Sequence, residues 1–390
     1  MPLLKASEDD KKSTVDYGDQ EQLMQDYLLD GTRRALAMGN RGPIELDEQG
    51  RLQKSILDAY WRSGFYVFKN VLQQEELADI ETDIDELLQR LPKAKGETVD
   101  IHGRRALTAD LTVNNLIWVK PLSDPNGATK GAGGRHPIKM FEPSAPSDAP
   151  EHVLQLILGP LQFSESHLRL SGHPKLLAVA AAVNGDDFTP FNESIWFKRP
   201  KLGASVAWHQ DGTMQWDSAN FSAGTHGFNF MAQLYGCTAA NGVWVVPGSQ
   251  NGRADIAAMV KAAGSDRLPD AVPLICDPGD VVICNRQAVH GSFANTSSDL
   301  RVTLNFGSQR RENVLNAEGN GIHSPKAIYD EERIAQRSKL IAYAIDARKQ
   351  RYPSEDSYIY RPIAESGMSC SYNENVKREL KDYNLLDLGI

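Results

Sequence analysis

Residues 281–306 read VVICNRQAVHGSFANTSSDLRVTLNF. This stretch holds three short runs rich in β-branched and aromatic residues, and polar turns separate the runs. Such runs are typical of β-strands. No amphipathic helical pattern lies between them, so the stretch does not fit the alternating strands and helices of a parallel sheet. It therefore predicts consecutive strands joined by short connections.

The same pattern extends toward the N-terminus, through ESIWFKRP, SVAWHQD, GFNFMAQLYG and GVWVVPGS in residues 193–249. This density of short strands favours a β-sandwich or a small barrel. Helical spacing of apolar residues predicts flanking helices over residues 20–38, after Glu75, at 171–185 and at about 327–351. The expected fold class is an all-β core with flanking helices.

The chain divides by composition into three parts. Residues 1–50 are expected to form an N-terminal extension, polar and partly disordered at its start and then helical. Residues 51–311 are expected to form the β domain, which contains an insert loop at 96–150 rich in Gly, Pro and Ser. Residues 312–390 are expected to form a helical C-terminal extension. The insert is either a mobile loop or a lid over a site.

Composition narrows the partners of the protein. The 390 residues carry a net charge of −9 without a basic cluster, which argues against nucleic acid and anionic membranes as partners. We find neither a signal peptide nor a long apolar run, and we expect the four cysteines to be buried, reduced thiols. These features favour a cytoplasmic protein with a small-molecule substrate, and a homodimer stays open as its assembly.

Two histidines and one aspartate form the candidate metal site. His209 and Asp211 are two residues apart at the end of a predicted strand, so both side chains can reach one ion. His290 follows a later strand that a barrel can bring alongside the first. Two imidazoles and one carboxylate would then form the facial triad that is associated with non-haem Fe(II) oxygenases.

Arg301 and Ser292 follow His290 closely in the sequence. A buried guanidinium needs an anionic partner, and no acidic residue is evidently reserved for Arg301. A dicarboxylate co-substrate would supply that partner, and Ser292 could share its carboxylate.

Other residues near the site are weaker candidates. The other seven of the nine histidines are expected to be structural, although His226 is also a candidate substrate contact. Aromatic residues around the first ligands either belong to the core or line a substrate pocket. The candidates for the pocket are Trp208, Trp216 and Phe228.

The ordered motifs WFKRP, WHQDG, NGVWVVPGSQ and PGDVVICNRQAVHGSFANTSSDLR resemble the phytanoyl-CoA dioxygenase family of Fe(II)/2-oxoglutarate oxygenases, over roughly residues 52–310. The resemblance implies a double-stranded β-helix, a cupin-like jelly-roll barrel. It implies that His209, Asp211 and His290 bind iron and that Arg301 and Ser292 hold 2-oxoglutarate. Two further residues in these motifs, Gln210 and Lys198, are expected to approach the co-substrate.

The function expected from this resemblance is oxidation of a small organic metabolite by O2, most simply hydroxylation, with conversion of 2-oxoglutarate to succinate and CO2. Halogenases of this architecture generally lack the carboxylate ligand, so Asp211 favours hydroxylation or a related oxidation. Two alternatives stay open: a cupin-like metal-dependent isomerase or hydrolase, and a non-catalytic barrel that binds a ligand or partner. Arg301 argues against the former, and the complete triad argues against the latter.

Overall fold

The computed structural model describes residues 15–111, 114–212, 224–319 and 327–380. Within these ranges the helices are α1 (Glu21–Ala37), α2 (Lys54–Ser63), α3 (Gln74–Arg90), α4 (Glu165–Ser171), α5 (Pro174–Asn184), α6 (Ile256–Ala263), α7 (Arg311–Val314), α8 (Glu331–Arg351), α9 (Arg361–Ala364) and α10 (Glu374–Glu379). The strands are β1 (Arg41–Gly42), β2 (Phe65–Phe68), β3 (Leu116–Val119), β4 (Val153–Leu158), β5 (Phe188–Lys198), β6 (Val206–His209), β7 (Phe228–Gln233), β8 (Trp244–Val245), β9 (Val272–Pro273), β10 (Val281–Asn285), β11 (His290–Ser292), β12 (Arg301–Arg310), β13 (Glu318–Gly319) and β14 (Ala327–Ile328).

Two sheets form the centre of the molecule. The large sheet has eight strands in the order β1-β2-β10-β7-β12-β5-β4-β3, and the small sheet has four in the order β6-β11-β8-β9. The predicted β core with flanking helices is confirmed, and its architecture is the jelly-roll. In the described ranges the two sheets share no strand pairing, so they face each other as open sheets rather than as one closed barrel.

The predicted strand series becomes the middle of these sheets. Residues 281–306 contain β10, β11 and the first half of β12, as expected. Alternation along β12 separates two environments, because successive side chains of a strand point to opposite faces. Even-numbered residues pack in the main hydrophobic core: Val302, Leu304 and Phe306. Odd-numbered residues line a cavity that both sheets enclose: Arg301, Thr303 and Asn305.

The N-terminal helix packs against the small sheet. Tyr27 of α1 stacks on Trp244 of β8 with ring centroids 4.5 Å apart. A Cβ atom at Gly31 would lie only 2.3 Å from the Trp244 ring, so α1 approaches the sheet as closely as glycine allows. The predicted disorder at residues 1–14 lies outside the described residues.

The C-terminal helix α8 packs against α4 and β5. Its buried Arg348 donates to Glu76 Oε1 of α3 at 2.7 Å and to Glu355 Oε1 at 2.9 Å. Removal of one partner from such a buried ion pair leaves an uncompensated charge and is strongly destabilising. The Arg348 contacts therefore hold α8 against α3. The three-part division of the chain stays a prediction.

The insert contains more structure than its composition indicates. Leu116–Val119 forms β3, which pairs with β4 at the edge of the large sheet. The run LIWV is short and lies between turn-rich segments, so only its pairing partner makes it a strand. The insert is therefore partly an extension of the sheet.

Three of the four cysteines are buried as expected, and Cys370 is half-buried. All four cysteines are free thiols, and the side chains of Cys237, Cys276 and Cys284 are buried. Among the described residues, none of the helices combines the length and the apolar character needed to cross a bilayer.

Candidate active site

Two histidines lie side by side on neighbouring strands of the small sheet. His209 ends β6, His290 begins β11, and the antiparallel register pairs the two residues. Their ring centroids are 4.2 Å apart. In each ring Nδ1 lies near the backbone carbonyl two residues earlier, 2.8 Å from Ala207 O and 2.9 Å from Ala288 O. A ring that donates from Nδ1 to a carbonyl leaves Nε2 as its metal-binding atom.

Asp211 completes a group of three potential ligands. Its Oδ1 lies 3.5 Å from His209 Nε2, and its Oδ2 lies 3.9 Å from His290 Nε2. All three side chains are buried, and one ligand atom from each lies within 4.8 Å of the others. This donor set is the facial triad that Fe(II) oxygenases use, and it leaves coordination positions open. The residues present therefore fit Fe(II).

A tight turn places the Asp211 carboxylate. The Asp211 backbone N–H donates to Arg286 O at 2.9 Å. Gly212 follows with φ of +74°, and a Cβ atom there would lie 2.6 Å from the His226 ring. Glycine is thus required for two reasons, the left-handed backbone and the close approach of the imidazole.

Burial and neighbouring charges set the protonation states of Asp211 and His209. Burial by itself would raise the pKa of the Asp211 carboxyl, but Arg135, His209, His290 and Arg286 hold that pKa well below its usual range. Burial, reinforced by the neighbouring His290, lowers the pKa of His209 well below its usual value. Asp211 is therefore ionised and His209 is neutral near pH 7, which are the forms that bind a metal ion.

Arg301, Ser292 and Lys198 lie together beside the triad. Arg301 begins β12 opposite Lys198, the last residue of β5. The Arg301 guanidinium is buried and donates to Asn241 O at 2.8 Å, while its Nε has no hydrogen-bond partner. Lys198 Nζ donates to Ser292 Oγ at 2.9 Å and also to Phe293 O.

The described part of the chain places no acidic side chain beside these two basic groups. Among the described residues, no carboxylate lies within ion-pair distance of Arg301 or Lys198. Burial, reinforced by Arg301, holds the pKa of Lys198 well below its usual range. A buried guanidinium without a carboxylate is costly, so this end of the site is suited to bind an anion.

Gln210 has a different place from the one expected. Its amide nitrogen donates to the backbone oxygens of Gly252 at 2.9 Å and Gln287 at 2.6 Å, and its oxygen accepts from Ala254 N at 2.8 Å. The side chain does not line the cavity. Strand alternation turns it away from His209, and its hydrogen bonds tie a neighbouring loop to the site.

One cavity of about 240 Å³ joins the triad and the arginine. Polar and charged side chains form one part of its wall, and apolar side chains of both sheets form another. The apolar residues include Ile117, Leu156, Trp196, Val206, Met231 and Val243. A concave, largely apolar space with a few convergent polar groups is typical of a small-molecule site.

The insert supplies a wall of this cavity. Asn126, Arg135 and His136 line it, and the His136 ring centroid lies 4.2 Å from that of His209. His136 Nδ1 also lies 3.0 Å from Ala207 O. Sequence reasoning placed His136 among the structural histidines and did not consider Arg135. The signal is their position within GGRHP, in the segment that the sequence predicts to be either a mobile loop or a lid.

Two of the predicted substrate contacts, Trp208 and Phe228, lie away from the cavity. Trp208 is fully buried in the core, where its Nε1 donates to Asp266 O at 2.7 Å. Phe228 is also fully buried and packs on Phe230 with ring centroids 4.7 Å apart. Neither lines the cavity, because strand alternation turns both toward the hydrophobic core.

The other two predicted substrate contacts are His226 and Trp216. His226 packs against Gly212 and is not among the described residues that line the cavity. Trp216 lies outside the described residues. The indole that does line the cavity is that of Trp196 on β5, which sequence reasoning did not select.

The jelly-roll and the buried His-Asp-His group define the chain as an oxygenase-type enzyme that depends on non-haem iron and 2-oxoglutarate. The chain belongs to the phytanoyl-CoA dioxygenase (PhyH) family, whose sequence profile matches residues 60–303. The iron ligands and the co-substrate anchor expected from the sequence all lie in that range. No curated protein matches the sequence significantly.

Several solved structures share weaker similarity. AviO1 from Streptomyces viridochromogenes Tue57 is 21% identical, with 65% of this chain and 93% of that chain covered and a TM-score of 0.45. EctD from S. alaskensis, solved with 2-oxoglutarate and 5-hydroxyectoine, is 17% identical, with 71% and 83% covered and a TM-score of 0.48. SnoN, a non-heme alpha ketoglutarate dependent epimerase from nogalamycin biosynthesis, is 17% identical, with 65% and 78% covered and a TM-score of 0.43. At this level of similarity their substrates do not transfer to this chain.

Proposed function

We propose that this protein is an Fe(II)/2-oxoglutarate-dependent dioxygenase that hydroxylates, or otherwise oxidises, a small organic metabolite and releases succinate and CO2. One observation carries the proposal: the buried His209, Asp211 and His290 share a cavity with Arg301, a buried guanidinium without a carboxylate partner among the described residues. A metal site beside an anchor for an organic diacid matches the two requirements of this reaction class.

Each group of residues has a defined task. His209, Asp211 and His290 would hold Fe(II) through two imidazole nitrogens and a carboxylate oxygen. Arg301 and Ser292 would hold the far carboxylate of 2-oxoglutarate. When bound, Fe(II) and 2-oxoglutarate supply the oxidising power by oxidative decarboxylation in the presence of O2.

Lys198 is placed to support this anchor. Its Nζ donates to Ser292 Oγ at 2.9 Å, so it orients the hydroxyl next to Arg301. The apolar side chains of the cavity exclude water from the reacting groups, which protects a strongly oxidising site from side reactions.

The cavity favours a small molecule as substrate. A volume of about 240 Å³ between two sheets suits a metabolite rather than a folded protein or a nucleic acid duplex. Asp211 occupies the ligand position that related halogenases leave open, so we propose oxygen transfer or a related oxidation rather than halogenation.

Two measurements test the proposal. Fe(II) and 2-oxoglutarate are added to the protein without oxygen, and the visible absorption band of an iron-bound α-keto acid is recorded. Succinate release is then screened over candidate metabolites in air, and the product is identified by its mass. Metal binding without the absorption band, together with no succinate release, would favour the isomerase or hydrolase alternative.

A further inference from the structure

Arg135 is a further buried guanidinium at the site. It belongs to the insert and lines the cavity, and its side chain is only 5% exposed. Its Nε and Nη1 have no hydrogen-bond partner. Two unpaired guanidinium nitrogens on a side chain that lines a cavity are suited to bind an anion.

Asp211 does not satisfy this guanidinium. Its Oδ1 lies 3.5 Å from Arg135 Nη1, which exceeds the length of about 2.7–2.9 Å for a charge-assisted hydrogen bond. The same carboxylate also faces His209 Nε2 at 3.5 Å, His290 Nε2 at 3.9 Å and Arg286 Nε at 3.7 Å. Asp211 is placed to serve the metal site, and among the described residues it is the one carboxylate within ion-pair distance of Arg135.

The loaded site carries an excess of positive charge. Among the described residues that line the cavity, the charged side chains are Arg135, Arg301 and Asp211. Arg286 adds a further buried guanidinium 3.7 Å from Asp211. Fe(II) adds two positive charges and 2-oxoglutarate adds two negative charges, so these cancel, and the remaining excess favours a negatively charged substrate.

The co-substrate does not need Arg135. Arg301, Ser292 and Lys198 lie together as the anchor for one carboxylate of 2-oxoglutarate. The other carboxylate, with the keto group, would be held by the ion. Both negative charges of a bound co-substrate would therefore have partners other than Arg135.

We propose that Arg135 binds a carboxylate, or a comparable monoanionic group, of the primary substrate and thereby positions the substrate beside the metal ligands. This inference rests on the proposed function and adds to it a class of substrate, a small organic acid. The apolar side chains of Ile117, Leu156 and Met231 line the same cavity and suit the hydrocarbon part of such an acid.

Binding of matched probes tests the role of Arg135. Benzoate, cyclohexanecarboxylate and hexanoate are each compared with the corresponding primary amide by calorimetry without oxygen, with and without Fe(II) and 2-oxoglutarate. The wild type is expected to bind at least one acid about tenfold or more tightly than its amide, since a charge-assisted pair is worth at least that factor. Arg135→Gln is expected to remove this preference, and Arg135→Lys to retain part of it.

Lys130→Gln is the matched control, because it removes one positive charge from an exposed position of the same segment. It should keep the preference for acids, and both Gln variants should bind 2-oxoglutarate as the wild type does. The inference is overturned if the wild type binds none of the acids more tightly than its amide, or if Arg135→Gln keeps the preference. Weakened binding of 2-oxoglutarate by Arg135→Gln would also overturn it and would assign the residue to the co-substrate.

The wild-type comparison needs no variant, so it decides the matter even where Arg135→Gln does not fold. Failure of the proposed function has a separate signature. In that case Fe(II) and 2-oxoglutarate give no absorption band with the wild type, whatever the acids and amides do.

Discussion

At the scale of single residues, the site depends on small distances that the backbone sets. The carbonyls of Ala207 and Ala288 fix the Nδ1 atoms of His209 and His290, so both Nε2 atoms are left for one ion. Such second contacts orient ligands and hold the metal-binding tautomer. The geometry of the metal site is therefore encoded two residues away from each ligand.

Loss of either histidine ligand should abolish iron binding. For His209→Ala and His290→Ala we expect affinity for Fe(II) to fall by more than about 100-fold, since loss of an outer partner alone costs about 10- to 100-fold. Iron content is measured after anaerobic loading and desalting. His102→Ala, at an exposed position, should retain full iron. Stoichiometric iron in either ligand variant would contradict the assignment.

Loss of Arg301 should act on the co-substrate instead. Arg301→Ala removes the charge-assisted hydrogen bonds to a carboxylate, so the 2-oxoglutarate concentration for half-maximal signal should rise by roughly 10- to 100-fold with iron retained. The signal is the anaerobic absorption band. Arg253→Ala, an exposed arginine, should change nothing. An unchanged 2-oxoglutarate requirement in Arg301→Ala would place the anchor elsewhere.

At the scale of elements, a strand pair and a loop build the site together. β6 and β11 bring His209 and His290 into register, and the segment at 124–142 closes the cavity from outside the sheets. The segment is held by Asp124, whose carboxylate accepts from Gly127 N at 3.0 Å and from Met140 N at 2.8 Å. One side chain thus closes the loop at both ends.

A side chain at Gly127 should open this loop. Its Cβ atom would lie 2.6 Å from Asp124 Cγ and 2.6 Å from the Ile138 backbone oxygen, so Gly127→Ala breaks the closure. We expect faster proteolytic cleavage within 124–142 and weaker turnover, with iron binding unchanged. Gly252→Ala is the control, because its Cβ would meet nothing within 4 Å. Equal losses of iron and turnover would show that the loop does not act as a cover.

At the scale of the whole molecule, helices from both ends of the described chain cover the sheets. α1 packs on the small sheet through Tyr27 and Trp244, and α8 is tied to α3 through Arg348. Packing of the helices against the sheets also buries ionisable side chains such as His167. His167 on α4 is fully buried, and neither of its ring nitrogens has a hydrogen-bond partner.

His167 should make the fold sensitive to acid. Burial lowers its pKa from 6.5 to about 3. The unfolded chain therefore binds a proton that the folded chain excludes, and stability falls as pH drops from 6.5 toward 3. The slope is roughly 1.4 kcal/mol per pH unit for one such group.

His167→Phe should reduce this slope by the contribution of one group, because phenylalanine keeps an aromatic ring and loses the titrating group. Burial also lowers the pKa of His173 to about 3, so part of the slope should remain. The free energy of unfolding is measured with urea at about pH 7 and about pH 4.5. His102→Phe, an exposed position, should keep the wild-type slope. An unchanged slope in His167→Phe would assign the acid sensitivity to other groups.

Much of the fold could be predicted because its signals are local. Short strands with β-branched and aromatic residues gave the β core, and helical spacing gave α1, α5 and α8 near their observed bounds. β3 was missed because four apolar residues between turns take their structure from β4, a partner distant in sequence. The separation of the two sheets was missed because closure is a property of all strands together.

The sequence by itself determined the strand series, the triad of His209, Asp211 and His290, and the arginine beyond it, because motif spacing and strand alternation are local. Only the tertiary structure decided which faces meet the cavity. It placed Trp208 in the core and Arg135 beside the metal ligands. The physical reason is that burial depends on what packs across from a residue, and that partner comes from distant parts of the chain.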